Sequence, residues 1–385
     1  MNKCLVTTLP GVAVSGNLKK LNEIIFNFVE RPNWVAGNSN YVVINIATIT
    51  AVKFTIEDGY FTDNLGNNTG TTFTTVTGNN SIIMRVAGSN AKLRCENKYY
   101  ISYFGLPFTP FCTPFNGIIP KYIPAIDSIE LKYLTNLQYF NVGMHFMITG
   151  EASNINGESF IYYNAFNPNY VIDVSYNNYK QPLIGSGYNI IKGANLKEFT
   201  TGFFAIDFNI NDFNDDIEII DFWDGVLKGD ITNKRFNKIR RLNLGFALTF
   251  KPFEVTGDVD FLTYDNPNDI MINFRNAPQL KGNVGGFGKR CYLFISNGIS
   301  EFTYTQGTAR THIMALNNVK LTSGLDNYLI DMASLPINPG VDTGMYNSGS
   351  EKIISLIGER TSASNSAVST LVSKGFVVII NGLPT

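Results

Sequence analysis

One segment of the chain carries oxygen-bearing side chains at the spacing of a calcium-binding loop. With Asp207 as position 1, side-chain ligands follow at positions 3, 5, 9 and 12, and Phe213 offers its carbonyl at position 7. These ligand residues are Asn209, Asn211, Asp215 and Glu218. Position 6 holds Asp212 instead of the glycine that such loops need for their sharp turn. An amphipathic strand running into a polar turn explains the same residues, so we assign no metal site and leave calcium binding at 207–218 open.

No nucleophile or cofactor motif accompanies this segment. The chain has two histidines, His145 and His312, and neither lies in a G-x-S-x-G, H-E-x-x-H or clustered Cys/His pattern. The glycines of 285–290 lack the spacing of a phosphate-binding loop and are better explained as a tight turn. We therefore expect structural or surface histidines and no cofactor.

Two pairs of carboxylates have the chemistry of a glycosidase acid and base, namely Asp221 with Asp224 and Asp258 with Asp260. Acidic residues that follow glycine in a repeated phrase are better explained as turn formers, because their side chains accept hydrogen bonds from nearby backbone N–H groups. We therefore expect no catalytic residue and a protein that is not an enzyme.

Aromatic residues are frequent between 151 and 193. They are Tyr162, Tyr163, Phe166, Tyr170, Tyr176 and Tyr179. Aromatic rings dominate both cores and interfaces, so these residues either pack inside or stack on a sugar or a protein partner. The sequence leaves both roles open.

A short phrase that occurs three times indicates the elements on which these residues lie. It is Leu-Lys-Gly-Asp-Ile at 227–231, Val-Thr-Gly-Asp-Val at 255–259 and Leu-Lys-Gly-Asn-Val at 280–284. The three glycines, Gly229, Gly257 and Gly282, are 28 and 25 residues apart, and a short alternating apolar run follows each phrase. A period of this size is typical of a solenoid, in which each unit buries its apolar face against its neighbours.

We predict a mostly β (α+β) chain of three parts. Residues 1–118 alternate in short strands and turns, which favours a β-sandwich-like attachment domain, and a proline-rich stretch follows it. Residues 119–345 form an irregular leucine-rich-repeat-like solenoid, which begins with a strand at 126–131 and has an insertion near 151–193 where the register is lost. Residues 346–385 form a cap with a helix at 362–374, Gly375 at its C′ position and a final strand.

Composition narrows the function classes. Charged residues make up 16% of the chain, the formal net charge is −1, and no block of Lys and Arg occurs, so we expect no nucleic-acid partner. No stretch of 18 apolar residues predicts a membrane span, and 1–20 have no continuous apolar core, so we expect no secretion signal. The four cysteines are too few for a disulfide framework and are expected to be reduced. They are Cys4, Cys95, Cys112 and Cys291.

Several segments resemble virion proteins of Bacteroides phages of the crAss-like kind, which combine a short β domain with irregular leucine-rich-repeat-like units. The opening Met-Asn-Lys-Cys-Leu-Val-Thr-Thr-Leu-Pro-Gly-Val at 1–12, with Leu-Lys-Lys-Leu at 18–21, is similar to the start of such proteins. The Leu-Thr-Asn-Leu phrase at 134–137 and Gly-Asp-Ile at 229–231 match their repeats. The segment 371–379, Leu-Val-Ser-Lys-Gly-Phe-Val-Val-Ile, resembles their ending.

The resemblance implies a structural virion protein of the tail, the collar or the head fibres. Its expected partners are other virion proteins, further copies of itself as a homo-oligomer, and a glycan or protein of the host surface. Two alternatives stay open from the residues alone: a tail-borne polysaccharide depolymerase, which needs an acidic pair in a groove, and a bacterial surface adhesin, which needs an export signal.

Overall fold

The computed structural model describes most of the chain. The described residues are 23–30, 40–105, 121–143, 146–166, 183–202, 204–223, 225–245, 253–260, 266, 270–286, 291–306, 313–336 and 352–385.

Strands make up most of the regular structure, so the mostly β class is confirmed. In chain order the strands are β1 Ile24–Glu30, β2 Tyr41–Thr48, β3 Lys53–Glu57, β4 Gly59–Thr62, β5 Asn68–Gly70, β6 Thr72–Thr74, β7 Gly78–Val86, β8 Lys92–Cys95, β9 Ile101–Gly105, β10 Tyr122–Asp127, β11 Tyr139–Gly143, β12 Met147–Glu151, β13 Tyr162–Phe166, β14 Leu183–Ser186, β15 Glu198–Gly202, β16 Phe204–Asn209, β17 Ile219–Phe222, β18 Gly225–Asp230, β19 Arg241–Asn243, β20 Glu254–Asp258, β21 Ile270–Asn273, β22 Gln279–Asn283, β23 Cys291–Ile295, β24 Glu301–Thr303, β25 Ala315–Asn317, β26 Val319–Ser323, β27 Ile353–Ile357, β28 Val377–Ile380 and β29 Leu383–Pro384.

Helices are few and short. The α-helices are α1 Ser128–Leu131, α2 Tyr188–Ile191, α3 Leu325–Ser334 and α4 Asn365–Ser373. Single 3₁₀ turns occur at Lys98–Tyr100, Ala152–Asn154, Ile210–Asp212, Val284–Gly286 and Ser362–Ser364.

Successive strands from β10 to β26 alternate between two large sheets. In the first sheet β18 is parallel to β16 and β20, and in the second sheet β19 is parallel to β17 and β21. One coil of the chain therefore contributes one strand to each sheet. Apart from β25, which ends the second sheet, each strand of this run pairs with a strand on both sides.

The N-terminal strands extend both sheets with antiparallel pairs. In the first sheet β1 is antiparallel to β10 and β8. In the second sheet β9 is parallel to β11 and antiparallel to β2, which also pairs with β7. The domain boundary expected near residue 118 falls between β9 and β10. Strands before and after this point pair with each other in both sheets.

Two local predictions differ from the structure. The strand expected at 126–131 ends at Asp127, because the side chain of Asp127 accepts a hydrogen bond from the Ile129 N–H and starts α1. Within the insertion expected near 151–193, β13 pairs in register with β11 and β15, so this part keeps the coil pattern. Residues 167–182 of the expected insertion lie outside the described residues.

Stacked aromatic rings connect the coils through the core. The rings of Phe104, Phe140, Tyr163, Phe199 and Phe222 follow one another along the second sheet, with neighbouring ring centroids 6.2, 5.7, 5.4 and 5.4 Å apart. All five are almost fully buried. These distances fall in the range in which aromatic pairs attract beyond their buried area, so the core favours one register of the coils.

The repeated Gly-acid phrase has a structural cause on the first sheet. In three neighbouring pairs of coils, the side-chain oxygen of an Asn or Asp lies where a Cβ would project from the glycine of the next coil. The pairs are Asn209 with Gly229, Asp230 with Gly257, and Asp258 with Gly282. The glycines have φ values of 119°, 111° and 120°, a region that only glycine adopts readily. Only glycine therefore fits the contact.

The same acidic or amide oxygens also form the turns that follow β16, β18 and β20. The Oδ1 atom of Asp230 accepts a hydrogen bond of 2.8 Å from the Thr232 N–H, and that of Asp258 accepts one of 3.0 Å from the Asp260 N–H. The role of turn former that the sequence predicts for Asp258 is confirmed. One side chain thus shapes its own turn and contacts the next coil.

The helix and the last strand predicted near the C-terminus are present as α4 and β28. Gly375 follows α4 with φ 88°, and the Phe376 N–H donates to the Leu371 carbonyl, as in a glycine-terminated helix. The carboxylate of Asp326 in α3 accepts hydrogen bonds from Thr361 and Ser364, which connects the two helices.

Replacing Gly257 by alanine tests the contact between coils. We expect Gly257→Ala to lower the free energy of unfolding by about 1–3 kcal/mol from backbone strain alone, with a further loss from the overlap with Asp230. Thermal unfolding followed by circular dichroism measures it. Gly88→Ala is the control, because a Cβ there meets no atom within 4 Å. Equal melting temperatures for the two variants would contradict a close contact at Gly257.

Candidate functional site

The side chains of the candidate calcium loop hold adjacent coils together. Asp207 lies 3.6 Å from the Lys228 ammonium, and Asp215 lies 2.7 Å from that of Lys234. Glu218 lies 3.3 Å from the Arg240 guanidinium. Each cation belongs to the next coil, so the carboxylates face neighbouring cations and do not converge on a shared point. The part of the chain that the structure describes contains no group of three or more His, Cys, Asp or Glu side chains that could hold a metal ion.

The two amides of the loop are also engaged. The Oδ1 atom of Asn209 accepts a hydrogen bond of 3.0 Å from the Asn211 N–H, and the Nδ2 atom of Asn211 donates to the Asp230 carbonyl at 2.9 Å. The first is an Asx turn and the second joins consecutive coils. The polar-turn interpretation of 207–218 therefore accounts for these side chains.

Several residues singled out in the sequence lie outside the described residues. They are His145, His312, Asp224, Cys4, Cys112, Tyr170, Tyr176 and Tyr179. Of the remaining aromatic candidates, Tyr163 is fully buried in the core, whereas its neighbour Tyr162 projects from the opposite side of the second sheet. We call that opposite side the outer face of the second sheet.

Two rows of side chains run along the outer face, because strand residues two apart project from the same side. The parallel pairing aligns them from strand to strand. The first row is Tyr103, Tyr139, Tyr162, Glu198, Ile219, Arg241 and Met271. The second row is Asn141, Asn164, Thr200, Asp221, Asn243 and Asn273. The rows therefore align polar, aromatic and apolar side chains across six or more strands. Tyr139 is exposed, whereas the row members from Ile219 onward, apart from Arg241, are buried.

Hydrogen bonds within the second row hold its side chains in place. The Nδ2 atom of Asn164 donates to the Asn141 Oδ1 atom at 3.1 Å, and that of Asn243 donates to the Asp221 Oδ1 atom at 2.6 Å. The Arg241 guanidinium lies 3.1 Å from the other Asp221 oxygen. Asn164, Asp221 and Asn243 are each no more than 3% exposed. The middle of the outer face is thus a fixed polar network.

Two carboxyls of this face have raised pKa values. Burial raises the pKa of Asp221 above its ordinary 3.8, while Arg241, Asn243 and the Trp223 indole partly oppose the shift. Burial likewise raises the pKa of Glu198, and Arg240, 3.7 Å away, opposes it. Raised carboxyl pKa values occur at catalytic sites as well as in structural networks. Here an arginine accompanies each carboxyl, as in a structural network.

A groove lies at the N-terminal end of the outer face, across β7, β2, β9 and β11. Its volume is about 730 Å³. Tyr103 and Tyr139 contribute two rings with centroids 6.3 Å apart and planes at 39°, and the Tyr139 side chain is 39% exposed. The polar residues that line the groove are Asn45, Asn79, Asn80, Ser81, Ser102 and Gln138. Among the described residues of its lining, none carries a charge.

The strands around the groove fix the two tyrosines. Tyr103 and Tyr139 are in register, and their neighbours Phe104 and Phe140 stack on the core side of the same strands. A Cβ on Gly105 would overlap the Tyr103 ring, so the glycine lets that ring lie flat along its strand. The groove holds rings and amides but no described carboxylate or histidine, so its chemistry is that of binding and not of acid–base catalysis.

Sequence patterns drew attention to Tyr162 but missed Tyr103 and Tyr139. All three precede a buried aromatic residue in an equivalent strand, namely Phe104, Phe140 or Tyr163. Two consecutive aromatic residues therefore recur at equivalent positions of successive strands, and this pattern could have identified Tyr103 and Tyr139 from the sequence.

Comparison with known proteins gives no relative: no protein-family model, no curated protein and no solved structure matches this chain. Among the described residues, no helix has the length and apolar character needed to cross a bilayer.

The pH dependence of stability tests the buried position of Asp221. Because folding raises its pKa, this carboxyl binds more protons in the folded chain than in the unfolded chain. Its contribution to stability therefore falls as the pH rises from 3.8 through the raised value. We expect the melting temperature of the wild type to fall relative to that of Asp221→Asn as the pH rises from about 3.5 to about 7.

Asp63 provides a control of opposite sign. Its exposed carboxylate accepts hydrogen bonds from the Asn67 side chain and backbone, which lower its pKa. The wild type should therefore gain stability relative to Asp63→Asn over the same rise in pH. If the melting temperatures of the wild type and of Asp221→Asn change equally with pH, the burial of an ionisable group at Asp221 is contradicted.

Proposed function

We propose that this chain is a non-enzymatic structural protein of a phage virion, a component of the tail, the collar or the head fibres. In this proposal it contributes to particle assembly and binds the host surface through the exposed part of the outer face of the second sheet. The observation that carries the binding role is the in-register arrangement of Tyr103, Tyr139 and Tyr162 along that face, each of which is at least partly exposed. The virion role is supported by the resemblance of the repeats and of both ends of the sequence to crAss-like phage virion proteins.

The finer architecture in this proposal is an irregular leucine-rich-repeat-like solenoid between a sandwich-like N-terminal part and a small αβ cap. Coil length supports it. Strands β18, β20, β22 and β24 begin at residues 225, 254, 279 and 301, which are 29, 25 and 22 residues apart. Leucine-rich repeats are about 20–29 residues long and contribute one strand per repeat to a common sheet. The coils here match that length and add a second strand, in the other sheet. Solenoids of this kind present extended binding surfaces.

The absence of catalysis in this proposal is supported by the state of the carboxyls. Glu198 and Asp221 are the carboxyls of the outer face with raised pKa values, and Arg240 and Arg241 lie beside them. A glycosidase needs one protonated carboxyl and one free carboxylate on either side of a bound sugar. The two ion pairs disfavour that arrangement, so a depolymerase remains the weaker alternative.

The partners in this proposal are other virion proteins, further copies of the chain, and a host-surface glycan or protein. The low charged fraction and a net charge of −1 support contacts through shape, hydrogen bonds and apolar area. No basic patch in the sequence favours nucleic acid.

Immunogold electron microscopy tests the virion role. An antibody raised against the purified chain is applied to particles purified from a culture in which the phage encoding the chain replicates. We expect label at one defined place on intact particles, and none with pre-immune serum. Abundant chain in infected cells together with unlabelled intact and opened particles would remove the virion role.

A further inference from the structure

We propose that the groove beside Tyr103 and Tyr139 is a binding site for an uncharged saccharide. The inference deepens the proposed function, on which it rests, by assigning a place and a ligand class to the binding surface. Its basis is a juxtaposition of an exposed and a partly exposed tyrosine ring, several amide and hydroxyl side chains, and no described charge in one groove of about 730 Å³.

The rings match the apolar faces of a sugar. A pyranose ring presents C–H groups on its faces and hydroxyls around its rim, so it is amphipathic in the same sense as tyrosine. Tyr103 and Tyr139 lie side by side, with centroids 6.3 Å apart, and each side chain is at least partly exposed. The volume lies within the range of about 300–1,000 Å³ that is typical of small-molecule sites. The groove therefore has room for a short oligosaccharide segment.

The amides match the hydroxyl rim. Each Asn or Gln side chain supplies two donors and one acceptor, and a sugar hydroxyl both donates and accepts. Asn79 and Gln138 line the groove and are exposed, and Asn45 lines it and is half-buried. By contrast, Asn80 uses its side chain in the turn, donating to the Val76 and Gly78 carbonyls at 2.8 Å. Asn45, Asn79 and Gln138 are the amides assigned to the ligand.

The lack of charge selects among ligand classes. A phosphate, sulfate or carboxylate taken out of water needs a cation or several N–H donors to compensate its lost hydration. None of the described residues that line the groove is Lys or Arg, so acidic glycans and nucleic acids are disfavoured. An uncharged saccharide needs only neutral hydrogen bonds, which these side chains provide.

The site is also held in shape before a ligand arrives. The stacking of Phe104 on Phe140 fixes the two strands that carry the tyrosines, and Gly105 leaves space for the Tyr103 ring. The Ser102 hydroxyl donates to the Ala47 carbonyl at 3.3 Å and joins β9 to β2. Preorganisation of this kind reduces the conformational entropy lost on binding.

Glycan binding by the purified full-length chain tests the proposal. The uncharged probes are maltoheptaose, chitohexaose and yeast mannan, and the acidic probes are hyaluronan and polygalacturonate. We expect at least one uncharged probe to bind and the acidic probes not to bind. Tyr139→Ala and Tyr103→Ala should each raise the Kd about tenfold or more, since truncating a central aromatic residue typically removes that much affinity.

Tyr188→Ala is the matched control, because Tyr188 is 51% exposed and does not line the groove. Asn79→Arg adds a variant at an exposed groove position, where a bulky charge should abolish binding without altering the melting temperature. The proposal is overturned if all uncharged probes fail to bind, if acidic probes bind more tightly, or if the folded groove variants bind like Tyr188→Ala.

The failure of this inference is distinguishable from that of the virion role. If the particles are labelled with gold but the purified chain binds no uncharged probe, only the groove assignment is overturned. Groove-dependent glycan binding with unlabelled particles would uphold the groove and remove the virion role.

Discussion

The contact between an acidic or amide oxygen of one coil and a glycine of the next determines how the coils align. It occurs at Gly229, Gly257 and Gly282, where the backbone has positive φ and any larger residue would overlap the preceding Asn or Asp. Because the strands of the two sheets alternate along the chain, alignment of one sheet also aligns the other. The rows on the outer face of the second sheet therefore depend on a contact made on the first sheet.

Polar side chains in this chain mostly join one coil to the next. The Nδ2 atom of Asn214 donates to the Gly193 and Leu196 carbonyls, and that of Asn266 to the Phe236 and Ile239 carbonyls of the preceding turn. Exposed ion pairs such as Asp216 with Lys238 also join consecutive coils. Each such ion pair contributes little alone, whereas the buried amides satisfy carbonyls that would otherwise be costly to bury. This use accounts for a chain rich in Asn and low in charge.

The sequence predicted most features that depend on neighbouring residues and missed those that depend on distant ones. The Gly-Asp phrase, the turn role of Asp258 and the helix ending at Gly375 were accessible, because each follows from local backbone chemistry. The strand expected at 126–131 was wrong, since the capping side chain of Asp127 outweighed the apolar pattern. The groove was not accessible, because Asn45, Asn79, Tyr103 and Tyr139 are separated by up to 94 positions and meet only after the sheet forms.

We propose that an uncharged saccharide binds at the N-terminal end of the outer face of the second sheet. Hydrogen–deuterium exchange of the purified chain, with and without a saturating uncharged oligosaccharide that binds it, measures this directly. We expect slower exchange at residues 79–81, 101–105 and 138–141, with unchanged exchange in strands of the first sheet such as β18 and β20. Protection confined to the first sheet or to the C-terminal helices, with no change at residues 79–81 and 138–141, would contradict it.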